Sequence, residues 1–244
     1  MSTGHSPLEQ FVIKPLVPIH VGDLDLSFTQ SALWMGIAVA AATALMTLAM
    51  RRQDTVPGRW QNVPEMLYEF VGGMVNDNLG DEGKKYFPFV FSIFMIVLMG
   101  NLLGMIPYSF TFTSHIIVTG ALAMMVFAIA TGIGFIRHGL HFLSLFLPKG
   151  LPWALAPLIV MIEVISYLSR PISLSVRLFA NMVAGHTMLK VFAGFSVMMG
   201  VVLGVLPMVV NVALIGLEIM IAFIQAYVFA ILTCIYLKDA IELH

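Results

Sequence analysis

Long uncharged stretches alternate with short polar ones along this chain, and their lengths are those of membrane crossings. Residues 31–50 hold no Asp, Glu, Lys or Arg and end against Arg51 and Arg52, and similar runs occupy 86–107 and 115–137, the latter uncharged up to Ile136 and closing on Arg137 at the start of the next loop. Each is close to the roughly 20 apolar residues that a helix needs to cross a hydrocarbon core about 30 Å thick. Residues 61–79 differ: Val63, Met66, Leu67, Phe70, Val71, Met74 and Val75 recur at helical spacing among Glu65, Glu69 and Asp77. That pattern predicts an amphipathic helix on the cytoplasmic membrane surface, opened by Asn62 and Pro64. Such a helix can pack on its own protein or dock a peripheral partner. Two longer runs follow, 153–192 and 206–238, separated by a region from Gly194 to Gly204. Residues 153–190 of the first would span about 57 Å as an uninterrupted helix, so it must tilt strongly or break, with Pro157 and Pro171 as the candidate breakpoints.

Charge placement orients these elements. The loop after the third run carries Arg137 and Lys149, whereas the one before it, 108–114, has neither Lys nor Arg. Positive charge stays inside, so the 108–114 loop and the N-terminal segment 1–30 are expected outside, with the C-terminus in the cytoplasm. No cleavable signal peptide is expected, because no short apolar region with a small-residue cleavage site begins the chain.

Composition agrees. Of 244 residues 59% are apolar and 10% charged, and the mean hydropathy is +0.96. A soluble domain carries about a quarter of its residues as charges, so an ordinary cytoplasmic globule is excluded. The net charge of −1 leaves no footprint for nucleic acid. The one cysteine, Cys234, cannot form a disulfide within the chain and reads as packing. The fold class is therefore an all-α integral membrane protein in one membrane domain: about four transmembrane spans or long tilted helices forming a membrane hairpin, plus one amphipathic interfacial helix.

Candidate chemistry lies in the charges of the two long runs: Glu163, Arg170, Arg177, Lys190 and Glu218, with His186. A single charge at a helix centre costs about 2.5–3.5 kcal/mol on translocon scales, so several imply a polar interior or access to water. Lys190 and Arg170 can equally snorkel to the interface. Ser173, Arg177 and Asn181 are four apart and share a helix face, with Glu163 about 40° from it. Glu163 is about 21 Å from Arg177 along a continuous axis, too far for an ion pair, so the guanidinium needs a partner elsewhere. Asn211, Glu218 and Gln225, seven apart, form a polar seam on the last helix. In an antiparallel hairpin His186 and Glu218 come toward the same end. A histidine beside a carboxylate suits proton transfer, because the imidazole titrates near neutrality; a hydrogen-bonded packing pair is the other reading.

Metalloprotease, phosphate-loop and serine-hydrolase motifs are absent from the sequence. His138 and His141 make a poor metal site, and Gly132 and Gly134 suit packing better than nucleotide binding. No metal and no cofactor is expected.

The stretch PISLSVRLFANMVAGH from Pro171 to His186 closely resembles the signature of the subunit a family of rotary F-type ATP synthases. EVISYLSRP from Glu163, IQAYVFAILTCIYL from Ile224 and, more loosely, GNLLGMIPYSFTFTSH around Asn101 extend the likeness over most of the chain. With the histidine on the arginine helix and the acid on the last one, the sequence is similar to the alphaproteobacterial and mitochondrial branch; many other bacterial members exchange the two.

The resemblance implies a long hairpin lying against a rotating ring of c subunits, each with one essential carboxylate. It also implies peripheral-stalk b subunits, the remainder of the synthase and membrane lipid as partners, in a cell inner membrane. By this match Arg177 is the essential arginine and the ring carboxylate is its missing partner. His186, Glu218 and Asn181, with Gln225 near the junction, belong to an outer half-channel and Glu163 to the cytoplasmic exit; Ser173 is also carried over. The chain would be a non-catalytic proton-translocating stator. A proton- or cation-coupled secondary transporter is the alternative, although the internal repeats common there are not evident. An intramembrane enzyme would need a nucleophile and base at usable spacing, and Ser173 has no such base on its face.

Overall fold

The computed structural model describes residues 12–13, 15–18, 20–21, 24–25, 27–49, 58–106, 109–146 and 155–242. Much of the 1–30 segment lies outside these residues, as do Arg51, Arg52, Lys149 and the first two positions of the 153–192 run.

Four short strands precede the helices: β1 (Pro15–Val17), β2 (His20–Val21), β3 (Leu24–Asp25) and β4 (Phe28–Thr29). β2 pairs antiparallel with β3, and β1 with β4. Helix α1 (Gln30–Ala49) starts where the Thr29 hydroxyl accepts the Ala32 N–H at 3.3 Å, as an N-cap residue does. Next come α2 (Arg59–Leu79), α3 (Gly83–Gly104), α4 (Ile116–His138), α5 (Ala156–Met198), the single turn α6 (Gly200–Leu203) and α7 (Val205–Ile241). Five helical segments are long and apolar enough to cross a membrane, which makes this an all-α membrane protein: 30–49, 60–104, 116–138, 156–198 and 205–241.

Two local expectations change. Helix α2 begins at Arg59 and carries Pro64 inside it, while the Gly58 carbonyl accepts the N–H groups of Gln61 and Asn62. The start moved because Pro64 lies early enough to remove few intrahelical bonds. Helix α5 continues through Pro171 for 43 residues, so of tilt or breakage neither proline supplies a break; membrane helices tolerate proline where neighbours satisfy the freed carbonyl.

Hydroxyls in the spans fold back on their own helices. Thr43, Thr47, Ser92 and Thr233 each donate to the carbonyl four residues before, which satisfies these donors where lipid offers no partner.

The chain divides into two compact units, and α2, α3, α5 and α7 contribute residues to both. The first unit takes its described residues from 1–64, 95–115 and 178–226. Here α1 rests on β4 and on the 3-10 turn Phe112–Ser114, and the Phe112 ring occupies the space a Cβ on Gly100 would need. The turn from α5 into α7 depends on Gly200, whose φ of +72° is open to glycine at no steric cost. Ser196 Oγ then donates to the Gly204 carbonyl at 2.7 Å. The second unit comprises 65–94, 116–177 and 227–244. Its core includes Val71, Met74 and Val75 of α2, Phe94, Leu174, Phe229 and Cys234. Val63 and Met66, counted in the same apolar stripe of α2, are exposed. Gly134 admits the Phe142 ring against α4, whereas Gly132 faces open space.

Candidate functional site

In the first unit the α5–α7 hairpin brings two ionisable groups together. His186 is 9% exposed and Glu218 3%, and His186 Nδ1 stands 3.2 Å from Glu218 Oε1. The distance is within ion-pair reach, but the groups are not aligned for a hydrogen bond, and neither carboxylate oxygen has one in the structure. Gly185 makes this approach possible: a Cβ there would lie 2.5 Å from Glu218 Oε1. On the other side of the ring, His186 Nε2 is 2.9 Å from Thr111 Oγ1.

These groups border a cavity of about 480 Å³ whose lining also includes Lys190, Asn211, Ile215 and Ser109. Asn211 Oδ1, both Glu218 oxygens and Gln225 Nε2 are buried side-chain atoms without a hydrogen-bond partner. All belong to the polar seam of α7. Buried polar atoms are ordinarily satisfied by protein or water, and Asn211 and Glu218 of this seam border the cavity. Asn181 Nδ2 donates to Gln225 Oε1 at 3.1 Å, joining the two helices beside the seam. Asn101 Nδ2 approaches the Ala222 carbonyl at 3.5 Å.

The other predicted residues belong to the second unit. Arg177 and Ser173 are exposed and Glu163 is half-buried, and none of the three has a hydrogen bond or ion pair among the described residues. Arg170 does have partners: its guanidinium lies 2.5 Å from Asp239 and between the Tyr167 and Tyr236 rings, 5.3 and 5.5 Å from their centroids. That enclosure favours a structural role for Arg170 over the snorkelling left open by the sequence. Arg137 forms a two-pronged ion pair with Glu82, and a His138 ring nitrogen is 3.0 Å from the Ile241 carbonyl. Among the described residues no cluster of His, Cys, Asp and Glu could hold a metal ion.

Sequence reasoning missed Thr111 and Asp239. Thr111 sits in a loop with several other hydroxyl residues, and nothing local distinguishes it; Asp239 lies 69 positions from its arginine.

Long apolar helices around a buried acid–histidine pair define a polytopic membrane protein that handles ions. The family model for the ATP synthase A chain matches residues 32–238. The chain is 58% identical to ATP synthase subunit a of Rhodospirillum rubrum over 240 residues, covering 98% of this chain and 100% of that protein. It is 54% identical to the subunit of Paramagnetospirillum magneticum, with 98% and 99% covered, and 55% identical to that of Pelagibacter ubique, with 98% of each covered. The chain belongs to the ATP synthase subunit a family. It is accordingly a non-catalytic, proton-translocating stator subunit in the membrane sector of an F-type ATP synthase, a multi-pass protein of the bacterial inner membrane that works with the c ring and the rest of that complex.

Proposed function

We propose that the cavity beside His186 and Glu218 is part of an outer aqueous half-channel that delivers protons to the c-ring carboxylates. Asn181 belongs to the same path beyond the cavity, with Gln225 near the junction with the ring, and Ser173 is a polar neighbour on the arginine helix face. Glu163 belongs to a separate cytoplasmic exit. Arg177 stands between the two paths as a fixed positive charge, favouring deprotonation of the ring site that faces it. A proton arriving from outside neutralises the next ring site, which can then turn into lipid without exposing a charge. The N-terminus is periplasmic and the C-terminus cytoplasmic, and b subunits and lipid cover the remaining membrane surfaces.

The observation that carries this reading is the Glu218 carboxylate, buried, 3.2 Å from an imidazole and without a hydrogen bond, at the wall of a cavity that Ser109, Thr111, Lys190 and Asn211 also line. Thiol labelling tests it. With buried Cys234 replaced by Ser, single cysteines at the lining positions Asn211 and Ile215 should react with a membrane-impermeant reagent added from the outer side. Leu217, exposed on the isolated chain but not part of the lining, should react at least about tenfold more slowly, because a thiol against lipid stays un-ionised. Labelling only from the cytoplasmic side, or equal rates at all three positions, would overturn the assignment.

Glu163 has no partner to release among the described residues, and water can take over part of its role in an exit path. Glu163→Gln is therefore expected to slow ATP-driven acidification of inverted vesicles severalfold without abolishing it. Either complete loss at normal assembly or wild-type pumping would remove it from the exit.

A further inference from the structure

Among the described residues, the one side-chain hydrogen bond of the His186 imidazole is with the α3–α4 loop, and its geometry constrains where the ring carries its proton. Gly104 ends α3, where the helix leaves its last carbonyls without intrahelical partners. Two hydroxyls fill that vacancy: Ser109 Oγ donates to the Gly104 carbonyl at 2.9 Å and Thr111 Oγ1 at 3.1 Å. A carbonyl oxygen has two lone pairs and accommodates both. Thr111 comes this close because residue 104 is glycine; a Cβ there would lie 2.7 Å from Thr111 Cγ2.

A threonine hydroxyl has one proton. With that proton given to Gly104, the 2.9 Å contact from Thr111 Oγ1 to His186 Nε2 must have the ring nitrogen as donor. Neutral His186 then carries its hydrogen on Nε2, and Nδ1, the nitrogen 3.2 Å from Glu218, is bare and basic. We propose that Thr111 is a positioning residue for proton transfer: by accepting the Nε2 hydrogen it presents the basic Nδ1 to Glu218. This inference rests on the outer-channel reading above. In the step it supports, a proton leaves the Glu218 carboxyl, directly or through one water in the cavity, and binds the Nδ1 lone pair. The products are a carboxylate and an imidazolium still held by Thr111, and the reverse step restores both groups. With the opposite tautomer Nδ1 would already bear hydrogen and neutral His186 could not accept from Glu218. Lys190 is the other charged side chain of the cavity wall, and its ammonium can only donate.

The test uses the whole synthase in membranes with 15N-labelled histidine, the His186 signals being identified by their loss in His186→Asn. Under mildly alkaline conditions native His186 should show a protonated Nε2 and a bare Nδ1. Thr111→Val, similar in size but without the hydroxyl, should give a mixture of tautomers. ATP-driven pumping per assembled complex should fall about two- to tenfold, the span of one net hydrogen bond. Thr111→Ser should restore both readouts. A native ring protonated on Nδ1, a valine variant with an unchanged spectrum, or a serine variant that rescues neither readout would overturn the proposal. The spectrum reports on Thr111 whether or not His186 conducts; normal pumping by His186→Asn would instead refute the channel reading.

Discussion

Replacing Arg177 with alanine should abolish ATP-driven acidification of inverted membrane vesicles while leaving the complex assembled. The side chain is exposed and makes no hydrogen bond or ion pair among the described residues, so its removal orphans no partner among them and leaves no cavity in a core. A guanidinium nevertheless stays charged at any accessible pH, and a lone charge at membrane depth costs about 2.5–3.5 kcal/mol on translocon scales. A cost of that size, with no compensating partner among the described residues, is what a counter-ion on another subunit would offset. In the proposed mechanism that counter-ion is the ring carboxylate as it loses its proton. Without Arg177 the carboxylate has no fixed charge to favour ionisation, and nothing separates the two proton paths. Each elementary charge crossing 100 mV releases about 2.3 kcal/mol, and that energy reaches rotation only if the proton cannot pass straight through. The measurement is the initial rate of acidification at equal amounts of incorporated subunit. Wild-type pumping would refute the stator role of Arg177 and leave it as a substrate counter-ion in a transporter.

Much of this arrangement is legible in the sequence because membrane proteins write their expensive features openly. The apolar runs mark the helices, and charges within them stand out because most substitutions there would be costly. Even the meeting of His186 and Glu218 can be counted: each is fourteen residues from the glycine at its side of the hairpin turn, Gly200 and Gly204. Equal arms of an antiparallel pair bring equal positions level.

What could not be read depends on contacts with no local signature. The N-terminal strands are two or three residues long, below the length at which alternation can be recognised. Thr111 matters through a helix end seven residues earlier and a ring 75 residues later. Arg170 looked equivalent to Lys190 by composition and depth, but one is enclosed by Asp239 and two tyrosine rings and the other lines a cavity. Hydropathy is a property of single stretches, whereas these distinctions are properties of pairs.

The second large effect is expected at Glu218, and Gly185 allows it to be separated from mere loss of a side chain. Glu218→Ala should reduce pumping to near background, since it removes the acid that exchanges protons with His186. That result alone could also reflect a collapsed cavity. Gly185→Ala leaves the acid in place but puts a methyl group 2.5 Å from where Oε1 now lies, closer than van der Waals contact permits. The backbone of a long packed helix yields less readily than the end of a glutamate, so the carboxylate should move away from His186 and pumping should fall about tenfold. Glu218→Asp by itself should also impair pumping, by drawing the acid back by one methylene. Combined with Gly185→Ala, however, the shorter acid no longer meets the added methyl group, and the double variant should pump better than Gly185→Ala alone. Two residues in contact are where additivity fails. Effects that simply accumulate in the double variant, with assembly unchanged, would show that the spacing between Glu218 and α5 is not what proton transfer requires.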